Sequence, residues 1–155
     1  MNLITEVIYV NIKQVTFCDP IKNNIVNNGT FSRITYSTSE VACNGLHVKT
    51  KLLFTENEKH FDKYKCHFTP KPENAAIGKI EESILAEYCA GFQGGVLRKT
   101  PVHKLKEQFT AGNVKLMVDC PPVGNTEVIV KISGVWETET NYGLTYKLIV
   151  PEKII

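Results

Sequence analysis

The chain has 155 residues, of which 43% are hydrophobic and 22% are charged, and its formal net charge at pH 7 is +2. These values are typical of a globular protein and exclude a disordered or fibrous one, and the length predicts a single domain over residues 1–155. No apolar run approaches the roughly 20 residues of a transmembrane helix, so we expect no membrane contact.

The cysteines and the N-terminal segment both indicate an intracellular protein. The five cysteines are spread along the chain without a C-x-x-C pair, and no basic leader precedes the first apolar residues. If their segment is a strand, the adjacent Cys66 and His67 point to opposite sides of it. We therefore expect reduced thiols and no metal site.

The first half of the chain carries strand patterns in which β-branched residues alternate between two faces. We predict a strand at 6–17, then an exposed loop at 19–30 that is rich in Asp, Pro, Asn and Gly. Two further strands at 31–38 and 46–54 are expected to form a meander, and a short strand is expected at 63–68.

Helical spacing appears in two places. Within 74–92, Ile77, Ile80, Ile84 and Tyr88 recur on one stripe, as in an amphipathic helix that would begin at Asn74 and end at Gly91. A shorter helix is expected at 100–112, with Thr100 as its N-cap and Gly112 as its stop.

Strand patterns return at 114–120, 126–136 and 142–150, and the last two are expected to form a hairpin. Three strands, a helix and two more strands is the element order of the oligonucleotide/oligosaccharide-binding (OB) fold. The sequence therefore predicts a mainly β domain with one main helix, built as a five-stranded Greek-key OB barrel with an inserted short helix and an extra strand. Gly134 fits the bend that such a barrel needs.

Cations and aromatic rings are interleaved along these predicted strands. This combination is typical of single-stranded DNA binding, in which cations follow the phosphates and rings stack on the bases. The second and third strands and nearby loops form the binding face of an OB barrel, so we expect the candidates to converge there. The candidate site consists of Phe31, Arg33, His47, Lys49, Lys51, Lys131, Trp136, Tyr142, Tyr146 and Lys147.

Structural roles compete with binding roles at several of these positions. Trp136 could be a core anchor, and the alternation around Tyr146 favours the core for that ring. Lys49 and Lys51 could form a solvated sheet face. A second basic cluster could extend a groove for the DNA backbone or form the solvent face of a helix, and it consists of Arg98, Lys99, His103, Lys104 and Lys106.

Catalysis has little support in the sequence. There is no H-E-x-x-H, P-loop or G-x-S-x-G motif, and the acidic residues Glu127, Glu137 and Glu139 lack a partnered histidine. Glu81 and Glu82 lie on the predicted helix, where we expect a solvated surface. The prediction is a protein that is not an enzyme.

The segment ISGVWETETNYGLTYKLIVP, together with FSRITYST, NGLHVKTKLLF and KIEESILAEYC, resembles the OB-fold single-stranded DNA-binding proteins of large double-stranded DNA viruses. The resemblance spans residues 29–150. Its most specific part is a G-x-W-E and G-L-x-Y-K arrangement formed by Gly134, Trp136, Glu137, Gly143, Leu144, Tyr146 and Lys147.

This resemblance implies largely sequence-independent, non-catalytic binding of single-stranded DNA in viral DNA replication or recombination. It also implies self-association, contacts with replication proteins, no cofactor, and a location at viral replication sites in the host nucleus or cytoplasm. The near-neutral charge departs from the more basic members of the family, and the sequence does not separate DNA from RNA as the ligand.

Two other functional classes stay open. An OB-like barrel could be a protein-interaction subunit of a replication or transcription assembly, with its aromatic rings against a partner. A hydrolase or nuclease that uses the acidic turn would require an added metal. Salt separates the first of these from DNA binding, because phosphate contacts weaken steeply as salt rises and apolar contacts change little.

Overall fold

The computed structural model describes residues 4–6, 9–23, 29–91 and 98–151. In this part of the chain the strands are β1 (Ile4–Glu6), β2 (Val15–Phe17), β3 (Ile21–Asn23), β4 (Gly29–Ser37), β5 (Ala42–Asn44), β6 (Leu46–His60), β7 (Lys63–Thr69), β8 (Thr100–Val102), β9 (Asn113–Leu116), β10 (Gly124–Glu137) and β11 (Asn141–Ile149). The helices are α1 (Ala75–Ala90) and α2 (Lys104–Ala111), with 3-10 turns at Ile12–Gln14 and Pro72–Asn74. None of the described helices has the length and apolar character needed to cross a membrane.

The protein is mainly β, with one main helix and an open, largely antiparallel sheet. Strand β10 lies at its centre. One edge of β10 pairs with β6 and then with β4, and the other edge pairs with β11. From β6 the sheet continues to β7 and β9, so one path through it runs β11, β10, β6, β7, β9. The prediction of a mainly β domain with one main helix is confirmed.

Two predictions about the first strands are wrong. Strands β4 and β6 do not form a meander, because β10 pairs with both, and among the described residues the one bridge from β4 toward β6 joins Thr35 to Gly45, the residue before β6. The single strand expected at 6–17 is interrupted. The Asn11 side chain accepts a hydrogen bond from the Lys13 backbone N–H at 3.1 Å and starts a 3-10 turn, a local bond that competes with strand pairing.

The loop expected at 19–30 contains a strand, since β3 pairs antiparallel with β4. Positions 24–28 of that loop lie outside the described residues. The other predicted strands are present as β4, β6, β7, β9, β10 and β11, and β6 runs beyond its predicted end. The extension Thr55–His60 is exposed and carries the β6–β7 hairpin out into solvent.

Helix α1 follows the prediction closely. Its stripe of Ile77, Ile80, Ile84 and Tyr88 is buried in the core, and the helix ends before Gly91. Asn74, however, does not cap the helix through its side chain. Its amide nitrogen donates to the Lys51 backbone carbonyl of β6 at 3.0 Å, so it fastens the start of α1 to the sheet.

Helix α2 begins later than predicted. Thr100 belongs to β8, which pairs in parallel with β11, and the helix starts only at Lys104. Gly112 ends the helix as predicted, with a left-handed φ of 78°. Substitution there would be strained, and a Cβ would also lie 2.6 Å from the Phe68 carbonyl oxygen.

The expected solvated position of Glu81 is wrong, because this carboxylate is fully buried at 0% exposure. It accepts hydrogen bonds from the backbone N–H groups of Leu105 and Lys106, at 2.9 and 3.0 Å. These donors belong to the first turn of α2, where unpaired N–H groups and the helix dipole favour a negative charge. Glu81 of α1 therefore supplies the cap that Thr100 was expected to provide.

The β10–β11 hairpin is confirmed, and at Gly134 the structure shows a bulge, while the bend that a barrel would need there stays a prediction. The register with β11 shifts between Ile132 and Gly134, which marks a bulge in β10. A Cβ on Gly134 would come within 2.2 Å of the Ser32 carbonyl oxygen of β4, so no larger residue fits at this strand contact. The bulge separates the part of β10 that pairs with β6 from the part that pairs with β4.

Candidate nucleic-acid interface

All the predicted site residues except Tyr142 and Tyr146 lie on one face of the sheet. Directly paired residues of neighbouring strands share a face, and Phe31 pairs with Trp136 while Lys131 pairs with Lys147. We call this side, which carries Phe31, Arg33, His47, Lys49, Lys51, Lys131, Trp136 and Lys147, the outer face. These residues therefore share one face, but they extend along β10 from the partner of Glu127 to Trp136, roughly 30 Å, and do not gather at one point.

Phe31 and Trp136 are cross-strand neighbours and both are half-buried. Each ring lies against a glycine of an adjacent strand. A Cβ on Gly134 would be 2.8 Å from two atoms of the Phe31 ring, and a Cβ on Gly143 would be 2.7 Å from Cζ2 of Trp136. The missing side chains let both rings lie close to the sheet, where they form a small aromatic surface that keeps part of its area in solvent.

Cations border this aromatic pair. Arg33 is exposed and pairs with Gly134, next to the two rings. Lys131 stands between His47 on one neighbouring strand and Lys147 on the other. Like charges opposite each other destabilise a sheet, so the directly paired Lys131 and Lys147 favour an anion placed over them. None of Arg33, Lys131 and Lys147 forms an ion pair with a described residue.

His47 does not act as the exposed cation that we predicted. It is only 5% exposed, and burial, followed by the charge of Lys131, lowers the pKa of its imidazole. The ring is therefore neutral at pH 7, when the ordinary value of 6.5 is already below neutrality. Its Nδ1 atom is buried without a hydrogen-bond partner in the part of the chain that the structure describes.

The basic side chains of β6 are partly compensated by carboxylates. Lys49 lies 3.0 Å from Glu127 and 3.8 Å from Glu6, and the hydrogen bond to Glu127 is the main cause of its raised pKa. Lys51 is exposed and pairs across the strands with Glu127. Lys49 therefore has a carboxylate partner within ion-pair distance, which Arg33 and Lys147 lack among the described residues.

The prediction that Tyr142 offers a ring for stacking is wrong. It lies on the inner face at 5% exposure, packed on Tyr88 with ring centroids 5.9 Å apart. Tyr146 lies on the same inner side and its hydroxyl donates to Oε1 of Gln108 at 2.5 Å. Burial raises the pKa of both phenols. The alternation of these tyrosines with outward Gly143 and Lys147 explains their inner position.

A groove of about 670 Å³ opens between β11 and the β7–β9 end of the sheet, with α2 at its side. We call it the lysine groove. Its lining includes Lys63, Lys104, Lys115, Lys147, Trp136 and Tyr146. Sequence reasoning missed Lys63 and Lys115, because it could not show that β7 and β9 approach β11. Lys104 was considered only as part of the second basic cluster.

The second basic cluster does not come together as a unit. Lys99 lies 2.6 Å from a Glu137 carboxylate oxygen, and Lys106 pairs with Glu82. Of its members, Lys104 lines the lysine groove. Lys104 is therefore the member of this cluster that lies at the groove. Lys99 instead contacts Glu137 of β10, and Lys106 joins α2 to Glu82 of α1.

The acidic turn has a structural role at Glu137. Besides Lys99, its carboxylate accepts a hydrogen bond from the Tyr88 hydroxyl at 2.8 Å, which joins the end of β10 to α1. The pKa of Tyr88 is raised to about 12, first by burial and second by this hydrogen bond to Glu137. None of the cysteines forms a disulfide bond, and the described residues contain no cluster of His, Cys, Asp and Glu able to hold a metal ion.

Comparison with protein-family models, with curated proteins and with solved structures finds no significant match to this chain. The functional assignment therefore depends on the geometry and charge of the outer face and of the lysine groove.

Proposed function

We propose that this chain binds single-stranded DNA through its outer face, without catalysis and largely independently of sequence. The observation that carries the proposal is the cross-strand pair of Phe31 and Trp136, half-buried against glycines and bordered by Arg33. Lys131 and Lys147 extend the positive charge along the same face.

The chemistry of this surface favours unpaired bases. A base that is not in a duplex can lie on an aromatic face, while its phosphate reaches a neighbouring cation. Every base has a π-face, so stacking on Phe31 and Trp136 would not select a sequence. A duplex keeps its base faces stacked internally and would offer this surface only its backbone.

The fold in this proposal is of OB type. In chain order, helix α1 follows β7 and precedes the later strands, as the OB fold requires. The two ends of the path from β11 to β9 line the same groove, which supports a strongly curled sheet. The insertion of β10 between β4 and β6 is a departure from simple consecutive pairing. The viral replication or recombination setting, self-association and replication partners stay part of the proposal through the sequence resemblance.

The net charge of +2 means that local cations, rather than the overall field, must attract the DNA. If Arg33, Lys131 and Lys147 each neutralise one phosphate, the outer face alone should contribute a slope of about −2 to the dependence of the logarithm of the binding constant on that of the salt concentration. Contacts that involve no phosphate would contribute little to this slope.

Fluorescence titration with labelled oligo-dT, oligo-rU and a duplex, each at several salt concentrations, tests the proposal. Trp136 is the only tryptophan, so quenching of its emission reports stacking directly. Trp136→Ala should lose about 1–3 kcal/mol of binding free energy if a base stacks there. Trp136→Phe, which keeps an aromatic face, is the matched control, and thermal unfolding checks that both variants fold.

Oligo-dT binding that is equally strong in the folded Trp136→Ala variant would remove Trp136 from the site. No binding of any oligonucleotide by the wild type would reject the proposal.

A protein-interaction role is the second candidate, and one observation favours it. Ile21 is 60% exposed and pairs with Phe31, so an apolar strip continues from the aromatic pair to the edge of the sheet. The partner would be a subunit of a replication or transcription assembly. Absence of oligonucleotide binding, together with partner binding that hardly changes with salt, would favour this role.

A further inference from the structure

We infer that the lysine groove is a second nucleic-acid subsite, which holds the phosphodiester backbone of the strand whose bases stack on the outer face. This inference rests on the proposed function and deepens it. The aromatic pair would fix bases, and the groove would fix phosphates further along the same strand.

The first support is the charge of the lining. The ammonium groups of Lys63, Lys104, Lys115 and Lys147 come from β7, α2, β9 and β11, and no acidic residue belongs to the groove lining among the described residues. None of these lysines forms an ion pair with a described residue. Cations gathered in a concave surface repel one another and focus a positive potential, and a polyanion relieves both effects.

The concentration of these lysines is what sets the groove apart. Among the described lysines only Lys49, Lys99 and Lys106 have a carboxylate partner within ion-pair distance, so an unpaired lysine is not unusual by itself. Four lysines without such a partner line one concave place, however, which is the pattern expected for a phosphate-binding surface.

The second support is continuity with the outer face. Trp136 and Lys147 belong both to the outer face and to the groove lining. A strand with one base on Trp136 therefore has its next phosphates at the entrance of the groove. No separate ligand or rearrangement is needed to join the two surfaces.

The third support is that no strand pairing among residues 4–6, 9–23, 29–91 and 98–151 closes the groove. Strand β8 pairs with β11 only at Asn141–Gly143, so the following residues of β11 leave that edge open toward the groove. An extended peptide added to this edge is the competing occupant. The basic lining favours the phosphodiester, because a peptide backbone needs hydrogen-bond partners and gains little from four ammonium groups.

The test is the double variant Lys63→Gln/Lys115→Gln, compared with Lys13→Gln/Lys79→Gln. All these lysines are exposed, and the control pair lies on the first 3-10 turn and on α1, outside the groove lining. Both variants lose the same net charge. Binding of long oligo-dT is measured by fluorescence anisotropy over a series of salt concentrations.

Each lost phosphate contact reduces the salt slope by about 0.7, so the groove variant should lose about 1.4 and bind roughly 25-fold more weakly at 0.1 M salt. The control variant should keep the wild-type slope. Quenching of Trp136 at saturation should be unchanged in both, because the stacking surface is intact.

The outcomes separate the two proposals. A wild type that binds no oligonucleotide rejects the proposed function and this inference with it. A wild type that binds, with the groove variant indistinguishable from the control variant, overturns the inference and leaves the proposed function standing. A poly-glutamate chain of the same charge as the oligo-dT is the comparator, and equally tight binding of it would overturn the assignment to a phosphodiester.

Discussion

The indole of Trp136 lies so close to Gly143 that a Cβ on this glycine would be 2.7 Å from Cζ2 and 3.0 Å from Cε2 of the ring. The two residues are cross-strand partners in the β10–β11 hairpin. The indole of Trp136, the only tryptophan, therefore occupies space that Gly143 leaves empty, and a methyl group added at Gly143 should displace it.

Gly143→Ala should destabilise the protein by about 1–3 kcal/mol, because the new methyl group overpacks a site that has no room for it. Because the indole is displaced, the variant should bind oligo-dT more weakly, and the emission maximum of Trp136 should change. Urea unfolding and intrinsic fluorescence measure both effects. Thr145→Ala, an exposed change on the same strand, should stay within about 0.5 kcal/mol of the wild type. An unchanged emission maximum in Gly143→Ala would contradict the close contact.

Glu81 should make stability depend on pH. Burial raises the pKa of this carboxyl above its ordinary value, although its bonds to the N–H groups of Lys106 and Leu105 act in the opposite direction. The folded state therefore holds the proton more tightly than the unfolded state. The stability from this group is fully present below its ordinary pKa and is lost as the pH rises through the raised value.

The variant Glu81→Gln removes this titration, so its unfolding free energy should fall less than that of the wild type as the pH rises from about 4 to 7. Glu82→Gln is the matched control. The bond to Lys106 lowers the pKa of Glu82, so the stability that Glu82 contributes is fully present above its ordinary pKa. The unfolding free energy of Glu82→Gln should therefore fall more than that of the wild type as the pH rises. Denaturant titrations across this pH range decide, and identical pH profiles for Glu81→Gln and wild type would contradict the assignment.

Removal of the whole carboxylate tests its role as a helix cap. Glu81→Ala leaves the N–H groups of Leu105 and Lys106 without their acceptor at a buried position. We expect a loss of at least about 1–3 kcal/mol, the range for one unsatisfied buried donor. Hydrogen exchange should show faster exchange in the first turn of α2. Unaltered protection there would show that another group takes over the cap.

Phe61→Gly should stabilise the protein. Phe61 occupies the first position of the short connection between His60 and Lys63 with φ of 55°, where a hairpin turn favours glycine, and its side chain is 97% exposed. Relief of about 1–2 kcal/mol of backbone strain outweighs the entropy that glycine adds to the unfolded chain, for a net gain of about 0.5–1 kcal/mol. Asp62→Gly, which has no such strain to relieve, should bring no gain. Thermal unfolding compares the two, and a less stable Phe61→Gly variant would refute the prediction.

Local alternation was sufficient to predict which side chains of β6 point outward. Leu46 and Val48 are buried while Lys49 and Lys51 reach the surface, as a period of two requires. The same rule predicts that Tyr142 points inward, because Leu144, two residues later on the strand, is buried. The stacking role given to Tyr142 ignored this signal in favour of its residue type.

Other features depend on contacts that no local pattern contains. The pairing of Phe31 with Trp136 joins β4 to β10, and only the inserted course of β10 brings these strands together. The burial of Glu81 had a partial signal, since it lies four residues after Ile77 on the apolar stripe of α1. Its partners on α2 could not be read from the sequence, because they depend on how the two helices pack.

The sheet path is unclosed between β11 and β9, and this has a thermodynamic consequence. A polyanion in the lysine groove would contact both β11 and β9, which share no backbone hydrogen bonds in the described residues. It would therefore link these two strands and stabilise the folded state. A ligand present at a hundred times its dissociation constant should raise the unfolding free energy by about 2.7 kcal/mol. The melting temperature should rise accordingly, and the amides of β9 and α2 should exchange more slowly in the loaded protein than in the free one.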